Sequence, residues 1–548
     1  MKITVGQFNV KSKDIAHNYA QMKNLIEEAI ENEFEMIVFG EYILSGFGCG
    51  GLFNSHDFVN EVIKYQDKLK GFAQNIAIVF GGLVYKENKL YNTGIVYYKD
   101  EVSYSFKHHL DKREMSEKNY FSSGENQVIK VKDSNMLVTF REDLFDHEKH
   151  YFDTIVVLDS SPINRLPVVN VNQNIVYSNT VGVTAVDKVV WINGGNSYIK
   201  EYNHYLTLNH PLEVGIIYGK GETQTISKLT ALSNAIKIWS DQTFGKDKKW
   251  IVGSSGGLDS AVTTALLAIS LGSENVITYN LSSKYNKKVT INNAQMIAKR
   301  LNVKHYENSI QDLIDETSTT LSSFGYNEIS TFDQENIQAR TRGHLLSAFS
   351  ALENGVISNN SNKLELVLGY ATMYGDTIGA LSLIGDLTKV EVFEISAEIN
   401  EYFKDEIIPN NLLPKVKDFE VVWETAPSAE LKDDQVDPMK WFYHDLLLEL
   451  VLTYSDEEIL ERYLDDQFQG MSIGDWLGFY DLLNGKNFLE DFNWFVRTMQ
   501  INYFKRLQTP PVLAYSNRVL GFDYKESADV LPKSDLYLEL EKKIIKKY

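Results

Sequence analysis

The stretch WIVGSSGGLDSAVTTALL, Trp250–Leu267, places small residues and glycines between two apolar runs. The apolar WIV predicts a short buried strand, and SAVTTALLAISL predicts a helix with an apolar stripe. Between them, Ser255, Gly256 and Gly257 leave main-chain N–H groups unshielded at the start of the helix. Such N–H groups and the helix dipole together form an anion site. The alternative is an ordinary strand-to-helix turn in which glycine supplies a positive φ angle.

Length and charge limit the classes of protein that fit this chain. At 548 residues it is too long for one hydrophobic core, so two or more domains are expected. The formal net charge of −20 argues against a nucleic-acid or anionic-membrane partner, since either would need a basic face. Positive charge for an anionic substrate must then come from a few lysines, arginines, helix ends or a bound metal ion.

The cellular location is inferred from features that the sequence lacks. The N-terminal MKITVGQFNV begins a strand pattern and has no apolar signal-peptide core. There is no run of eighteen apolar residues, so no transmembrane helix is expected. The single cysteine, Cys49, excludes internal disulfides and cysteine-cluster metal sites. We therefore expect a cytoplasmic protein.

The hydrophobic pattern changes near residue 220. Before it, short β-rich runs alternate with few long helices, which predicts a layered α/β domain over residues 1–220. The polar stretch Tyr218–Lys228 is a candidate linker. From about residue 230, long helices alternate with short strands, which predicts a parallel doubly wound sheet. Ligands bind at the carboxyl ends of strands in such sheets, where Ser255–Ser260 would lie.

The segment Ser255–Ser260, SGGLDS, resembles the signature of the PP-loop ATP pyrophosphatases, which cleave ATP between its α and β phosphates. Four further stretches fall in the order and spacing of NAD synthetase: ENIQARTRGHLLSAFS (Glu335–Ser350), SNKLELVLGYATMYGD (Ser361–Asp376), GDLTKVEVFEIS (Gly385–Ser396) and APSAELKDDQVDP (Ala426–Pro438). RTMQINYFKRLQTPPVLAYSNRVLGFD resembles the tail of the long, two-domain form. The resemblance implies that residues 225–548 form a PP-loop NAD synthetase domain with a helical C-terminal tail.

Residues 1–220 resemble the nitrilase-like glutaminase domain of the same long form, which implies an α-β-β-α sandwich. FGEYILSGFGCGGLF matches the segment that carries the catalytic glutamate, at Glu41, and KHHLDKREMSEKNYF matches the lysine segment, at Lys107. The catalytic cysteine of the family should follow a strand after Lys107. There, MLVTFREDLFD places Arg141.

The resemblance implies an ATP-dependent, AMP-forming carbon–nitrogen ligase that joins ammonia to the nicotinate carboxylate of deamido-NAD. Transfer of AMP to this carboxylate creates a good leaving group, so the protein must position the reactants and neutralise charge at phosphorus. The implied catalytic residues are Asp259, Lys389 and Ser428. The implied ATP site consists of Ser255, Gly256, Gly257, Asp259, Ser260, Lys389 and Ser428, with Mg²⁺ held by Asp259 and Glu365.

Three of these residues also have ordinary structural alternatives. Asp259 could be a helix N-cap, Glu365 could lie on a solvated face, and Lys389 could lie at an exposed helix start. The segment YNLSSKY (Tyr279–Tyr285) lies where the family places its adenosine contacts.

The resemblance also implies a deamido-NAD site, made of Glu335, Asn336, Arg340, Tyr370, Thr372 and Asp376. Arg342 is a further candidate, but Arg340 and Arg342 are two residues apart and do not share a helix face. At most one of them is expected to contact substrate, and we assign that contact to Arg340.

The nitrogen source is predicted from the missing nucleophile. An arginine stays protonated and cannot attack the glutamine amide, and Cys49 does not match the place of the nucleophile. We expect Arg141 to pair with Glu41 in a degenerate glutaminase site made of Glu41, Lys107 and Arg141. The chain is also short between SSPINRLP and NIVYSNTVG, where the glutaminase carries a helical stretch lining its pocket. These features predict an enzyme that uses free ammonia.

The aromatic helical stretches of residues 440–505 predict a homo-oligomer, at least a dimer, with its contact in the synthetase half. The N-terminal domain would then serve structure, oligomer contacts or docking of a separate ammonia donor. Three alternatives stay open at this point. They are glutamine hydrolysis by a non-standard nucleophile or a partner glutaminase, another PP-loop adenylating amidotransferase, and a nucleotide-sensing pseudoenzyme.

Overall fold

The structure is a computed structural model that describes residues 1–111, 116–149, 151–165, 171–202, 204–221, 225–417, 420–432, 435–521, 523 and 532–548. The chain forms two compact units. The first comprises Met1–Val186 and Val190–Ser227, and the second comprises Asp187–Val189 and Lys228–Tyr548. The short connection that the sequence indicates after SSPINRLP includes residues 166–170, which lie outside the described residues.

The first unit is rich in strands. Its described helices are α1 (Ile15–Glu31) and α2 (His56–Leu69). Its described strands are β1 (Ile3–Gln7), β2 (Met36–Val38), β3 (Ala77–Lys86), β4 (Lys89–Tyr98), β5 (Glu101–Phe106), β6 (Gln127–Val131), β7 (Ser134–Phe140), β8 (Thr154–Leu158), β9 (Asn174–Ser178), β10 (Val181–Val186), β11 (Val189–Gly194), β12 (Tyr198–Glu201), β13 (His204–Thr207), β14 (Gly215–Ile216) and β15 (Gly219–Lys220).

Two sheets of the first unit pack face to face. One has the order β14-β1-β2-β3-β4-β5, and the other has the order β15-β13-β12-β9-β8-β7-β6. Val38 and Val79 of the first sheet meet Val138 and Val156 of the second in a shared apolar core. Helices α1 and α2 pack against the other face of the first sheet. This layering confirms the predicted nitrilase-like fold class.

The second unit alternates helices with strands, as predicted. Its described strands are β16 (Lys249–Gly253), β17 (Val276–Ser282), β18 (Lys304–Ser309), β19 (Gly355–Asn359), β20 (Leu381–Ser382), β21 (Lys415–Lys417), β22 (Glu420–Val422) and β23 (Val512–Ala514). Its described helices are α3 (Lys228–Phe244), α4 (Leu258–Leu271), α5 (Lys288–Arg300), α6 (Gln311–Ser323), α7 (Thr331–Leu352), α8 (Lys363–Leu368), α9 (Lys389–Phe403), α10 (Tyr443–Val451), α11 (Asp456–Leu464), α12 (Gly474–Leu477), α13 (Gly485–Ile501), α14 (Tyr503–Arg506) and α15 (Asp535–Lys547).

The central strands of this unit pair in the order β23-β20-β19-β16-β17-β18, and each neighbouring pair is parallel. Alternate residues of β16 serve the two faces of the sheet. Ile251 packs with Leu346 and Phe349 of α7, whereas Trp250 donates to Ser240 Oγ of α3 at 3.0 Å. Helices therefore cover both faces, which confirms the predicted doubly wound sheet.

A buried ion pair fastens the segment after β23 to the start of α8. Lys363 Nζ lies 3.5 Å from Asp386 Oδ1 and donates to Ser516 Oγ at 2.8 Å. The Asp386 carboxylate also accepts hydrogen bonds from the main-chain N–H groups of Tyr515 and Ser516, at 2.9 and 2.8 Å. Both charged side chains are almost fully buried, so each depends on the other for neutralisation.

None of the described helices is long and apolar enough to cross a membrane.

Replacement of Asp386 by alanine is expected to lower the free energy of unfolding of the second unit by about 3–5 kcal/mol, because it leaves the Lys363 ammonium buried without a countercharge. Urea denaturation of the full chain measures this change. Glu328→Ala, in an exposed segment, is the control and should stay within about 0.5 kcal/mol of the parent. A loss below about 1 kcal/mol for Asp386→Ala would contradict the role assigned to the ion pair.

Candidate functional site

The glycine-bearing loop between β16 and α4 has the form predicted for it. β16 ends at Gly253 and α4 begins at Leu258. Gly256 has a φ angle of +79°, and a Cβ atom there would lie 1.8 Å from the carbonyl oxygen of Thr290. Glycine is therefore required both by backbone conformation and by the close approach of α5.

The N-terminus of α4 is open to a ligand. Its N-cap, Gly257, has an extended backbone and makes no side-chain cap hydrogen bond to the first turn. Ser255 Oγ accepts from Gly257 N at 3.2 Å and lies 3.2 Å from Ser260 Oγ. First-turn N–H groups and two hydroxyls thus surround one position, which suits a phosphate group.

This loop forms one wall of a cavity of about 410 Å³ at the carboxyl ends of the parallel strands, a volume that suits a small-molecule ligand. Most of the residues predicted from the sequence line it: Ser255, Gly257, Asp259, Ser260, Glu335, Asn336, Glu365, Tyr370, Thr372, Asp376, Lys389 and Ser428. Gly256 and Arg340 do not.

Asp259 and Lys389 form the charged end of the cavity. Lys389 Nζ donates to Asp259 Oδ2 at 2.6 Å. Burial disfavours the ammonium form of Lys389, but the carboxylates of Asp259 and Glu365 outweigh burial and raise its pKa. Lys389 is the first residue of α9 and is buried, so the exposed-helix-start alternative is wrong. The N-cap alternative for Asp259 is also wrong, because Gly257 holds that position.

Two further carboxyl groups lie in the same cavity wall. Glu365 takes part in a capping box with Asn362, and burial followed by the charge of Asp259 raises its pKa well above the ordinary value. Asp437 belongs to the stretch APSAELKDDQVDP, but the sequence pattern did not identify it as a site residue. Burial raises the pKa of Asp437 to about 6. The cavity thus holds more acidic groups than its buried lysine neutralises.

Two carboxylate oxygens of this cluster have unused acceptor capacity. Within the described residues, Asp259 Oδ1 and Asp437 Oδ1 are buried and have no hydrogen-bond partner. Buried polar atoms without a partner are uncommon in folded proteins. Oxygen donors of this kind fit a hard divalent cation such as Mg²⁺.

The two arginines of α7 are separated as expected, but the assignment between them is corrected. Arg342 lines the cavity, donating from Nε to Leu281 O at 3.0 Å and from Nη2 to Asn286 Oδ1 at 3.1 Å. Burial lowers its pKa to about 10. Arg340 is exposed and donates from Nε to Met373 O at 3.2 Å. Arg342 is therefore the arginine that faces the cavity.

Glu430, which the sequence did not single out, fixes the loop that carries Ser428. Its Oε2 accepts from Thr290 Oγ1 at 2.9 Å and from Asn286 Nδ2 at 3.1 Å, and its main-chain N–H donates to Ser428 Oγ at 3.2 Å. Since Thr290 also packs against Gly256, this carboxylate links two walls of the cavity. The signal in the sequence was an acidic residue two positions after Ser428.

A second cluster lies in the first unit, around Lys107. Its Nζ lies 2.8 Å from Glu41 Oε1, 3.0 Å from Glu117 Oε2 and 2.8 Å from Glu142 Oε2. Burial disfavours the charge of Lys107, but the three carboxylates raise its pKa well above the ordinary value. The cavity at this cluster measures about 10 Å³, which holds about one water molecule.

Arg141 lines this small cavity, but the predicted Arg141–Glu41 ion pair is wrong. Arg141 Nε donates to Glu142 Oε1 at 2.8 Å. Glu142 follows Arg141 in the chain and reaches both cations, and Lys107 and Arg141 overcome burial to lower its pKa to about 2. Glu41 is held instead by Lys107 and by Asn92 Nδ2, at 2.6 Å.

Cys49 does not line this cavity. Its Sγ donates to Ser45 O at 3.1 Å, and burial raises its pKa to about 12. Since the thiolate is the nucleophilic form of cysteine, this thiol is unreactive near neutral pH.

Known proteins match both units. The family model for NAD synthase matches residues 237–469, and that for carbon-nitrogen hydrolase matches residues 2–142. A glutamine-dependent NAD(+) synthetase of Acinetobacter baylyi is 26% identical over 493 residues, covering 83% of this chain and 88% of the relative. An NH(3)-dependent NAD(+) synthetase of Chlorobium phaeovibrioides is 31% identical over 281 residues, covering 51% of this chain and 86% of the relative. The chain belongs to the NAD synthetase family.

A solved structure confirms the NAD synthetase fold of the two-domain form. It is a glutamine-dependent NAD+ synthetase from Acinetobacter baumannii in complex with ADP, with a TM-score of 0.67 and 22% identity, covering 96% of this chain and 98% of that chain. The chain is thus a ligase of NAD biosynthesis with a nitrilase-like domain, as the sequence predicts. The similar NAD synthetases include both glutamine-dependent and NH(3)-dependent proteins.

The raised pKa of Asp437 predicts a pH-dependent stability. In the folded chain the Asp437 carboxyl group has a pKa of about 6, whereas in the unfolded chain its pKa is near 4. The folded state therefore binds more protons between these values, and its stability falls as pH rises through that range. Asp437→Asn lacks this titration. The free energy of unfolding of the variant minus that of the parent should therefore increase by about 2–3 kcal/mol from pH 4 to pH 7.

Urea denaturation of parent and Asp437→Asn across this pH range, without nucleotide or divalent metal, measures the difference. Glu328→Gln, in an exposed segment, controls for the loss of one negative charge. Equal pH dependence in the parent and Asp437→Asn would contradict the burial of an uncompensated carboxyl group at this position.

Proposed function

We propose that this NAD synthetase adenylates the nicotinate carboxylate of deamido-NAD with ATP and then amidates it with free ammonia. The main support is the contrast between two cavities. The synthetase cavity of about 410 Å³ is lined by anion-binding and charged groups, whereas the glutaminase-like cavity of about 10 Å³ is closed by ion pairs and contains Arg141.

In the adenylation step, the N-terminus of α4 and the hydroxyls of Ser255 and Ser260 hold the leaving pyrophosphate. Lys389, which stays protonated, neutralises negative charge that develops on the phosphates. Ser428 also lines the cavity, on the loop that Glu430 holds. These groups are fixed before substrate enters, so little reorganisation is needed during reaction.

Asp259 and Glu365 are proposed to hold Mg²⁺, which suits their oxygen donors and the unpartnered Asp259 Oδ1. The ion, when bound, supplies positive charge to the phosphoryl oxygens. Asp437 adds a third carboxyl group in the same wall and shares in the charge that a cation would neutralise.

The nicotinate-bearing substrate is proposed to lie along the wall formed by α7 and residues 369–376. Glu335 and Asn336 contribute from α7, and Tyr370, Thr372 and Asp376 contribute from the facing segment. Arg342 takes the place predicted for Arg340, because its guanidinium is the one at the cavity wall.

Ammonia is the proposed nitrogen source because the first unit has no cysteine at the position of the expected nucleophile. Arg141 occupies the position of the expected cysteine, and the chain's single cysteine is a buried thiol with a raised pKa outside the cavity. The Lys107 cluster leaves space for one water molecule, whereas a glutamine side chain needs several times that volume.

We also propose the domain limits 1–220 and 225–548 and a homo-oligomer paired through the synthetase half. The N-terminal domain then serves structure, oligomer contacts or docking of a separate ammonia donor. The proposal is preferred to a change of acceptor within the PP-loop class, or to a silent nucleotide sensor, because most of the residues that the resemblance implies line the synthetase cavity.

The nitrogen source is tested with purified full-length protein, deamido-NAD, ATP and Mg²⁺. Ammonium chloride should support NAD formation, whereas glutamine, freed of ammonia, should support a rate at least about 100-fold lower, since a missing nucleophile removes the covalent step. NAD is measured by enzymatic cycling, and glutamate release is followed in parallel. Comparable rates with both donors, with one glutamate released per NAD, would overturn the ammonia proposal while leaving the synthetase activity established.

The metal-ligand proposal is tested with Asp259→Asn and Glu365→Gln, which keep side-chain size and remove charge. Each should lower the rate of AMP release at saturating ammonia by at least about 100-fold, since loss of one metal contact weakens transition-state charge stabilisation by several kcal/mol. Glu316→Gln, on an exposed face of α6, is the matched control and should retain the parent rate. Activity within about tenfold of the parent, with unchanged circular dichroism, would rule out the assigned roles.

A further inference from the structure

Outside both cavities, His108, His109 and Asp146 gather at the surface of the first unit. One ligand atom of each lies within 4.8 Å of the others. We propose that these three side chains bind a divalent transition-metal ion such as Zn²⁺. Two imidazoles and one carboxylate are a ligand set that zinc favours, whereas Mg²⁺ and Ca²⁺ prefer oxygen donors throughout.

Hydrogen bonds of Nδ1 define which nitrogen each histidine ring would offer to a metal ion. His108 Nδ1 lies 2.8 Å from Gly124 O, and a carbonyl oxygen can only accept, so Nδ1 carries the proton. His109 Nδ1 lies 3.0 Å from Asp143 Oδ1 and donates to that carboxylate in the same way. Nε2 is then the nitrogen of each ring that would offer a lone pair to an ion. Metal-bound histidines typically donate their other ring N–H to a carbonyl or carboxylate in this manner.

Asp143 is the buried group that holds this arrangement. Its side chain accepts the main-chain N–H of His108 at 2.9 Å and that of His109 at 2.6 Å. It also accepts from Asn126 Nδ2 at 2.7 Å. The almost fully buried Asp143 carboxylate therefore holds the turn that carries both histidines. Binding an ion there requires little ordering of the backbone.

The third ligand comes from a different part of the chain. Asp146 lies in the short 3₁₀ segment Arg141–Lys149, and its Oδ2 is 3.5 Å from His109 Nδ1. An ion on Nε2 of His109 therefore requires the Asp146 carboxylate to turn from Nδ1 toward the other edge of the ring. The two histidines follow β5. An ion held by all three residues would therefore join the chain after β5 to the chain after β7. The same two segments carry Lys107 and Glu142, so the ion would clamp the walls of the closed glutaminase-like cavity.

The proposal is tested by Zn²⁺ binding to untagged full-length protein freed of metal with a chelator. The parent should bind one more Zn²⁺ per chain than the double variant His108→Gln/His109→Gln, as measured by titration calorimetry. Any Zn²⁺ taken up by the synthetase cavity is common to both proteins and cancels in the difference. His204→Gln, which alters an exposed histidine on β13, is the matched control and should bind as the parent does.

Asp146→Asn tests the carboxylate without removing an imidazole, and it should weaken the extra site by at least about tenfold. Saturating Zn²⁺ should also raise the unfolding temperature of the first unit in the parent and not in the double variant, because an ion that binds only the folded state stabilises it. Ammonia-dependent NAD formation by each variant shows that the chain is folded. Equal Zn²⁺ stoichiometry and affinity in the parent and the double variant would overturn the site, whatever the nitrogen source of the enzyme.

Discussion

Burying charge is costly unless opposite charge or hydrogen bonds surround it, and this constraint governs both chemical sites of the chain. In the second unit, Lys389 balances Asp259, while Glu365 and Asp437 add two further buried carboxyl groups beside the same lysine. ATP would bring still more negative charge into the same cavity. On the proposed Mg²⁺ site, a bound cation would favour the ionised form of these carboxyl groups and offset the charge of the nucleotide.

The Lys107 cluster satisfies the same constraint with ion pairs between its own side chains. Lys107 contacts Glu41, Glu117 and Glu142, and Arg141 contacts Glu142. Burial raises the pKa of Glu41 despite Lys107, whereas Glu142 is kept ionised by both cations. Ion pairs between its own side chains fill the cluster without any ligand, which agrees with the small size of its cavity.

The sequence predicted those features that depend on local pattern. SGGLDS identified the phosphate loop because glycine spacing and the strand–helix pattern are properties of neighbouring residues, and Gly256 shows both reasons for glycine. The direction in which a helical side chain points is harder to predict from the sequence. Arg340 and Arg342 could be placed on different faces of α7, but which face lined the cavity depended on how α7 packs against β16 and β19. Glu430 and Asp437 were missed because their roles depend on contacts with α5 and with Asp259, far away in the sequence.

The position of Arg141 shows how a contact between neighbouring residues can replace an expected ion pair. Glu41 was expected to pair with Arg141 because it is the acid of the family motif, but Glu142 is adjacent to Arg141 in the chain and needs a countercharge of its own. The Arg141–Glu142 pair neutralises a carboxylate that would otherwise lie buried beside Lys107, with only one cation to share among three acids. On the proposed ammonia dependence, a domain that no longer has to admit glutamine can close its cavity with such pairs. Functional sites usually give up stability to stay open, so closing the site favours the folded state. On that proposal, the ion pairs around Lys107 close the site of a domain that keeps its nitrilase-like fold.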